Sequence, residues 1–169
     1  MGPQEHLEKI VRPNLSDLQA NFADLRHAFN AVAAVDAFAG HLYWWSRSHA
    51  SHEVRGIEND SAYRYRLAQA NKDFRLVRDI AKAQKHVRLI QGSPEVSAAA
   101  QIENRTLGWG QATWGEGLWN GPPQVVVETN VGEFCVLEPI LVRALEFLEG
   151  EMARLGAAST PSQSTDDLS

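Results

Sequence analysis

A chain of 169 residues, 44% hydrophobic and 22% charged, has the composition of one soluble globular domain with a single core. Its formal net charge of −5 and pI near 5.7 exclude wholesale electrostatic adhesion to nucleic acid, so any such contact must come from a local patch. The single cysteine, Cys135, excludes an internal disulfide and a cysteine-rich zinc site and suits a reducing compartment.

The opening MGPQEHLEKIVRPNL lacks the apolar core of a signal peptide, and histidine at position 6 breaks the myristoylation pattern. The run AVAAV is cut by Asp36, far short of a membrane span, so a cytoplasmic protein with no membrane partner is expected. Ser16 opens SDLQ, a capping box with Gln19, which predicts a helix start. Leu18, Phe22, Leu25, Phe29, Val32, Val35, Ala39 and Leu42 then recur at spacings of three and four. That stripe predicts one helix of about seven turns, ending near Ser46. A second helix is expected from Ala62 to Ala70, capped by Asp60 or Ser61. A third should follow an Asp73 N-cap and stop before Gly92 and Pro94.

Beyond Pro94 the pattern changes. SAAAQIENRTLGWGQATWGEGLWNGPPQ has no helical period and is rich in glycine and tryptophan. VVVET, NVG and EFCVL read as two short strands around a tight turn, with Cys135 in the second strand. Glu138 and Pro139 open a last helix whose stripe is Leu137, Leu141, Leu145, Leu148 and Met152. The tail GAASTPSQSTDDLS has almost nothing to bury. The predicted fold class is therefore mainly α: a bundle of about four helices with an inserted β-hairpin and a Trp/Gly-rich loop before the last helix. Residues 1–155 form the single domain, the insertion occupies about 96–137, and 156–169 is a disordered tail.

The third helix carries the most chemistry. FRLVRDIAKAQKHVRL holds Arg75, Arg78, Lys82, Lys85, His86 and Arg88 in an otherwise acidic chain. On a helical wheel Leu76, Ile80, Ala83 and Val87 share the packing quadrant, and Arg75, Arg78, Lys82 and Lys85 gather opposite. His86 falls at the border, two turns after Asp79, a carboxylate placed to orient an imidazole. Such a stripe is either an ordinary solvated face or a phosphate-binding one with His86 moving protons.

LVRDIAKAQKH resembles the arginine-to-histidine helix of the HEPN superfamily, small all-helical proteins that include many metal-independent ribonucleases. Arg78 and Asp79 match the start of that motif and His86 its end. Seven residues stand between Arg78 and His86, one more than the upper limit of the family's usual four to six, which swings the two side chains about 80° apart on a regular helix. The resemblance covers about residues 16–90 and 138–154. It implies RNA binding or metal-independent endoribonuclease activity, in a toxin or defence component, with Arg78 and His86 catalytic and Lys82 or Lys85 on the phosphate. It also implies a homodimer, since one histidine supplies only half of an acid–base pair.

Trp109, Trp114 and Trp119, interleaved with glycines, form either a stacking platform for bases or a plug at the end of the bundle. Trp44 and Trp45 are adjacent on the first helix, so at least one must point away from the core, and a partner copy is the simplest cover. His49 and His52 stand at a usable ligand spacing, but no companion motif recurs on another predicted helix, and no glycine loop of the phosphate-binding type is present. No metal and no cofactor are expected. The reading of another class is a non-catalytic module that binds a protein partner through the Trp/Gly loop and helix faces.

Overall fold

The computed structural model describes residues 1–49, 51–86, 88–89, 93–108 and 121–157. Its helices are α1 (Pro3–His6), α2 (Arg12–Ala20), α3 (Leu25–Ser48), α4 (Asp60–Ala70), α5 (Lys72–His86) and α6 (Leu137–Arg154). Its strands are β1 (Ile102–Arg105), β2 (Gln124–Glu128) and β3 (Phe134–Val136). The architecture is mainly α, with a small antiparallel sheet inserted before the last helix, as the periodicity predicts.

Helix α1 runs into α2 through a π turn at Leu7–Val11, in which the Arg12 N–H donates to the Leu7 carbonyl. Pro13 has no N–H to give, and its ring would press on the Lys9 carbonyl of an ideal helix; the widened turn relieves both. Leu7, Val11, Leu15 and Leu18 from this rod are buried, and Ser16 lies inside it instead of capping a new one.

The single helix expected from Ser16 to Ser46 is in fact two. The chain breaks at Asn21 (φ −147°, ψ 80°) and restarts after Asp24, whose carboxylate accepts from the backbone N–H groups of Arg26 and His27 at 2.8 and 3.2 Å. Phe22 and Leu25 continue the stripe in sequence, yet at this joint they are 40% and 36% exposed. The backbone freed by the break is satisfied across the molecule. Val125 N–H donates to the Phe22 carbonyl at 2.8 Å, and Asn104 Nδ2 donates to the Ala23 carbonyl at 3.1 Å.

Two other caps differ from expectation. Asn59 caps α4 by accepting from Ala62 N–H at 2.9 Å, and Asn71 caps α5 by accepting from Phe74 N–H at 2.8 Å. Asp73 instead takes a two-pronged ion pair from Arg143 of α6, at 3.0 and 3.1 Å. The hairpin of β2 and β3 turns through Gly132 at φ +82°, and β1, absent from the sequence reading, adds a third strand along β2. Val125 and Val127 face the main core, whereas Val126 joins Val136 and Leu107 on the other face. The α6 stripe is buried throughout. Gly156 (φ +71°) and Ala157 close α6, with Ala157 N–H reaching the Met152 carbonyl, so these two positions belong to the cap. The rest of the expected tail lies outside the described residues. No described helix is long and apolar enough to cross a membrane.

For function, the decisive element is α5, which packs against α3, α4 and α6 at once.

Candidate functional site

Being held on three sides changes the wheel of α5. Leu76, Ile80 and Ala83 are buried as predicted, and Val87 lies outside the described residues. Phe74, Val77 and Ala81 are buried as well, and so, against the expectation of a solvated face, are Arg78 and Asp79, only 8% and 7% exposed. Arg75 and Lys82 are half-buried; Lys85 and His86 are exposed.

Between α4, α5 and the returning segment at 93–94 lies an open cleft of about 850 Å³. Arg78 and Asp79 are its buried floor, Arg75, Lys82, His86 and Arg88 stand around it, and Tyr65 lines the α4 side. The cleft spans the last turns of α5, so Arg78 and His86 both line it despite their angular offset. Lys85 is not among its lining residues. Trp109, Trp114 and Trp119 lie outside the described residues.

Local bonding fixes the floor. Arg78 Nη2 donates to the Ser61 carbonyl at 3.1 Å, and its guanidinium carbon lies 5.8 Å from the centre of the Tyr65 ring. Asp79 accepts from Glu95 N–H at 2.9 Å, so this carboxylate anchors the return segment. Arg75 donates to the Ser93 carbonyl at 3.1 Å and pairs with Glu95 at 3.5 Å. Arg88 is tied by an antiparallel bridge to Ala98. Among the described residues the side chains of Lys82, His86 and Arg88 make no hydrogen bond or ion pair.

The electrostatics follow from burial under concentrated positive charge. Burial lowers the Arg78 pKa, against the pull of Asp36 and Asp79, and a guanidinium remains protonated regardless. Burial, then the charge of Arg78, lowers that of Lys82. Burial raises the Asp79 carboxyl, opposed by the Glu95 N–H bond and by Lys82. Among the described residues, Arg75, Arg78, Lys82 and Arg88 thus bring four positive charges to the cleft against one lining carboxylate, Asp79, with Glu95 paired to Arg75 from outside the lining. This arrangement has the charge to receive an anion, and an exposed imidazole, a group able to move protons, lines the same cleft.

Close by, within the field of the same cations, Asp36 of α3 is 5% exposed and accepts from Arg64 Nη1 at 3.0 Å. The other arm of Arg64 donates to Asp60 at 2.7 Å. A Cβ on Gly40 would stand 2.7 Å from Arg64 Nη2, so this glycine makes the room the guanidinium occupies. Burial raises the Asp36 pKa, with Arg64 the strongest opposing charge. Further along α3, His41 stacks on His6 with ring centres 3.8 Å apart. Burial and then the charge of His41 push the His6 pKa down to about 4.

Sequence reasoning found α5 but missed Tyr65, Asp36 and Arg64. A signal existed in YRYR: two tyrosines two positions apart lie on opposite sides of a helix, so one must face outward, and it is Tyr65, with Tyr63 buried. Of the paired tryptophans, Trp44 is 60% exposed and Trp45 is half-buried, stacked on His49 at 4.1 Å. No family model, curated protein or solved structure matches this chain.

Proposed function

We propose that the cleft is an RNA-binding site and that the protein is a HEPN-like, metal-independent endoribonuclease of the cytoplasm, acting as a homodimer. The observation that carries this reading is that His86, exposed to water, and Arg78, buried beneath, line one cleft with positive charge in excess. In the proposed reaction one His86 takes the proton of a ribose 2′-hydroxyl, and the resulting oxygen attacks the adjacent phosphorus. The P–O5′ bond breaks, leaving a 2′,3′-cyclic phosphate. The departing 5′-oxygen takes a proton from a second imidazolium, His86 of a partner copy. Arg78 and Lys82 hold the phosphate as negative charge builds on its free oxygens.

The test is to incubate pure protein with mixed RNA in excess EDTA, beside His86→Ala. Cleavage by the wild type and a loss of about a hundredfold or more in the variant are expected. Equal rates in the two, or no cleavage at all, would remove the catalytic assignment. Light scattering on the eluting protein checks the composite site, which a strict monomer cannot form. The second reading, a protein-interaction module, rests on Trp44, a large indole left 60% exposed on α3. It gains ground if Trp44→Ala abolishes self-association while RNA is neither bound nor cut.

A further inference from the structure

Tyr65 lies on the cleft with 58% of its surface exposed. A single exposed ring elsewhere on the surface would call for no explanation. This one borders a cleft rich in cations and sits beside the guanidinium that forms its floor, with Leu89 also lining the space. Neither apolar group does anything for a bare phosphate. An aromatic face next to phosphate-binding cations is what an unpaired nucleotide uses, with the base on the ring and the backbone on the charges.

Resting on the RNA reading above, we propose that the cleft selects single-stranded RNA, with one unpaired base stacked on Tyr65 while the adjoining phosphate meets Arg78 and Lys82. In an A-form duplex the bases are already stacked inside and their edges face grooves, so none can be presented to the ring. Every base carries a π face, so the selection is for strandedness and tolerates most sequences. Arg78, fixed by the Ser61 carbonyl, holds the phosphate end in register with the ring.

The test uses a short fluorescein-labelled oligoribonucleotide of mixed sequence carrying 2′-O-methyl groups, which blocks attack by the 2′-oxygen. Anisotropy is read for the single strand and its duplex, with inorganic polyphosphate as a base-free competitor. The wild type is expected to favour the single strand. Tyr65→Ala should lose about tenfold on the single strand and nothing on polyphosphate, whereas Tyr65→Phe should stay near wild type. Lys82→Ala should weaken both ligands. A second measurement needs no variant: an abasic version of the oligonucleotide should bind the wild type about tenfold less tightly. If Tyr65→Ala or the abasic strand binds like its parent while Lys82→Ala weakens binding, stacking is overturned and the RNA reading stands. Equal affinity for duplex and single strand has the same consequence. If the wild type binds neither RNA, the RNA reading fails and stacking falls with it.

Discussion

The Asp36–Arg64–Asp60 cluster and the cleft around Arg78 and Lys82 are neighbours that treat charge in opposite ways. In the first, one guanidinium reaches two carboxylates at 3.0 and 2.7 Å and packs onto a glycine that leaves space for it. In the second, among the described residues, Arg75 pairs with Glu95 while Arg78, Lys82 and Arg88 face one lining carboxylate, which is already engaged by the Glu95 N–H. The first cluster balances its charge within the chain, although Asp36 Oδ1 and Arg64 Nε are left without hydrogen-bond partners among the described residues, and it serves folding. The second has positive charge to spare, which an acidic net charge conceals when charges are summed over the sequence. Two histidines mark the same contrast. His6 is sealed against His41 and kept neutral by burial, while His86 stands open on the cleft.

That contrast predicts separable losses. Arg64→Met should destabilise the fold by about 3 kcal/mol, read by denaturant titration, because Asp36 is left buried without its partner. RNA cleavage per folded molecule should change far less. A comparable effect in Lys82→Ala would erase the distinction between the two clusters.

Acid comes next in size. The folded His6 pKa of about 4 lies below its ordinary value of 6.5, so between these the unfolded chain binds the extra proton. The stability His6 contributes is complete above about pH 6.5 and is lost as pH falls toward 4, on the order of 2 kcal/mol. His6→Phe keeps a ring on His41 and should flatten that part of the stability–pH curve. An unchanged curve would place the acid sensitivity elsewhere.

The smallest stability effects belong to the cleft. Lys82→Ala and His86→Ala should each shift unfolding by less than about 0.5 kcal/mol. Lys82→Ala should also reduce the salt dependence of RNA binding by about one ion. A loss of 2 kcal/mol or more in either would mean that the side chain is part of the packing.

The sequence carries the α6 stripe openly because it keeps one helical period over its whole length, and the β2–β3 hairpin because a run of valines, a tight turn and EFCVL follow one another. The joint at 21–24 was hidden by that same helical period. Phe22 and Leu25 keep helical spacing although the backbone between α2 and α3 has left the helix, and the groups that hold it there come from Asn104 and Val125. β1 was hidden because IENR lacks alternation; only its pairing with β2 makes it a strand. At the site, the positive run was visible and its depth was not. Arg78 counts as a surface residue until α4 is laid over it, a tertiary fact with no local trace.

The bond from Val125 to the Phe22 carbonyl joins positions about a hundred residues apart. Closing so long a loop is entropically unfavourable, so the corner between α2 and α3 should take its final shape after the helical pairs have formed. A chain still missing its hairpin would hold that corner only by local bonds, namely the Asp24 cap, the Asp24 N–H on the Asn21 carbonyl and the His27 ring on the Asp17 carbonyl. Late protection of the Val125 amide in pulsed hydrogen exchange, well behind the amides of α5, would record that order of events.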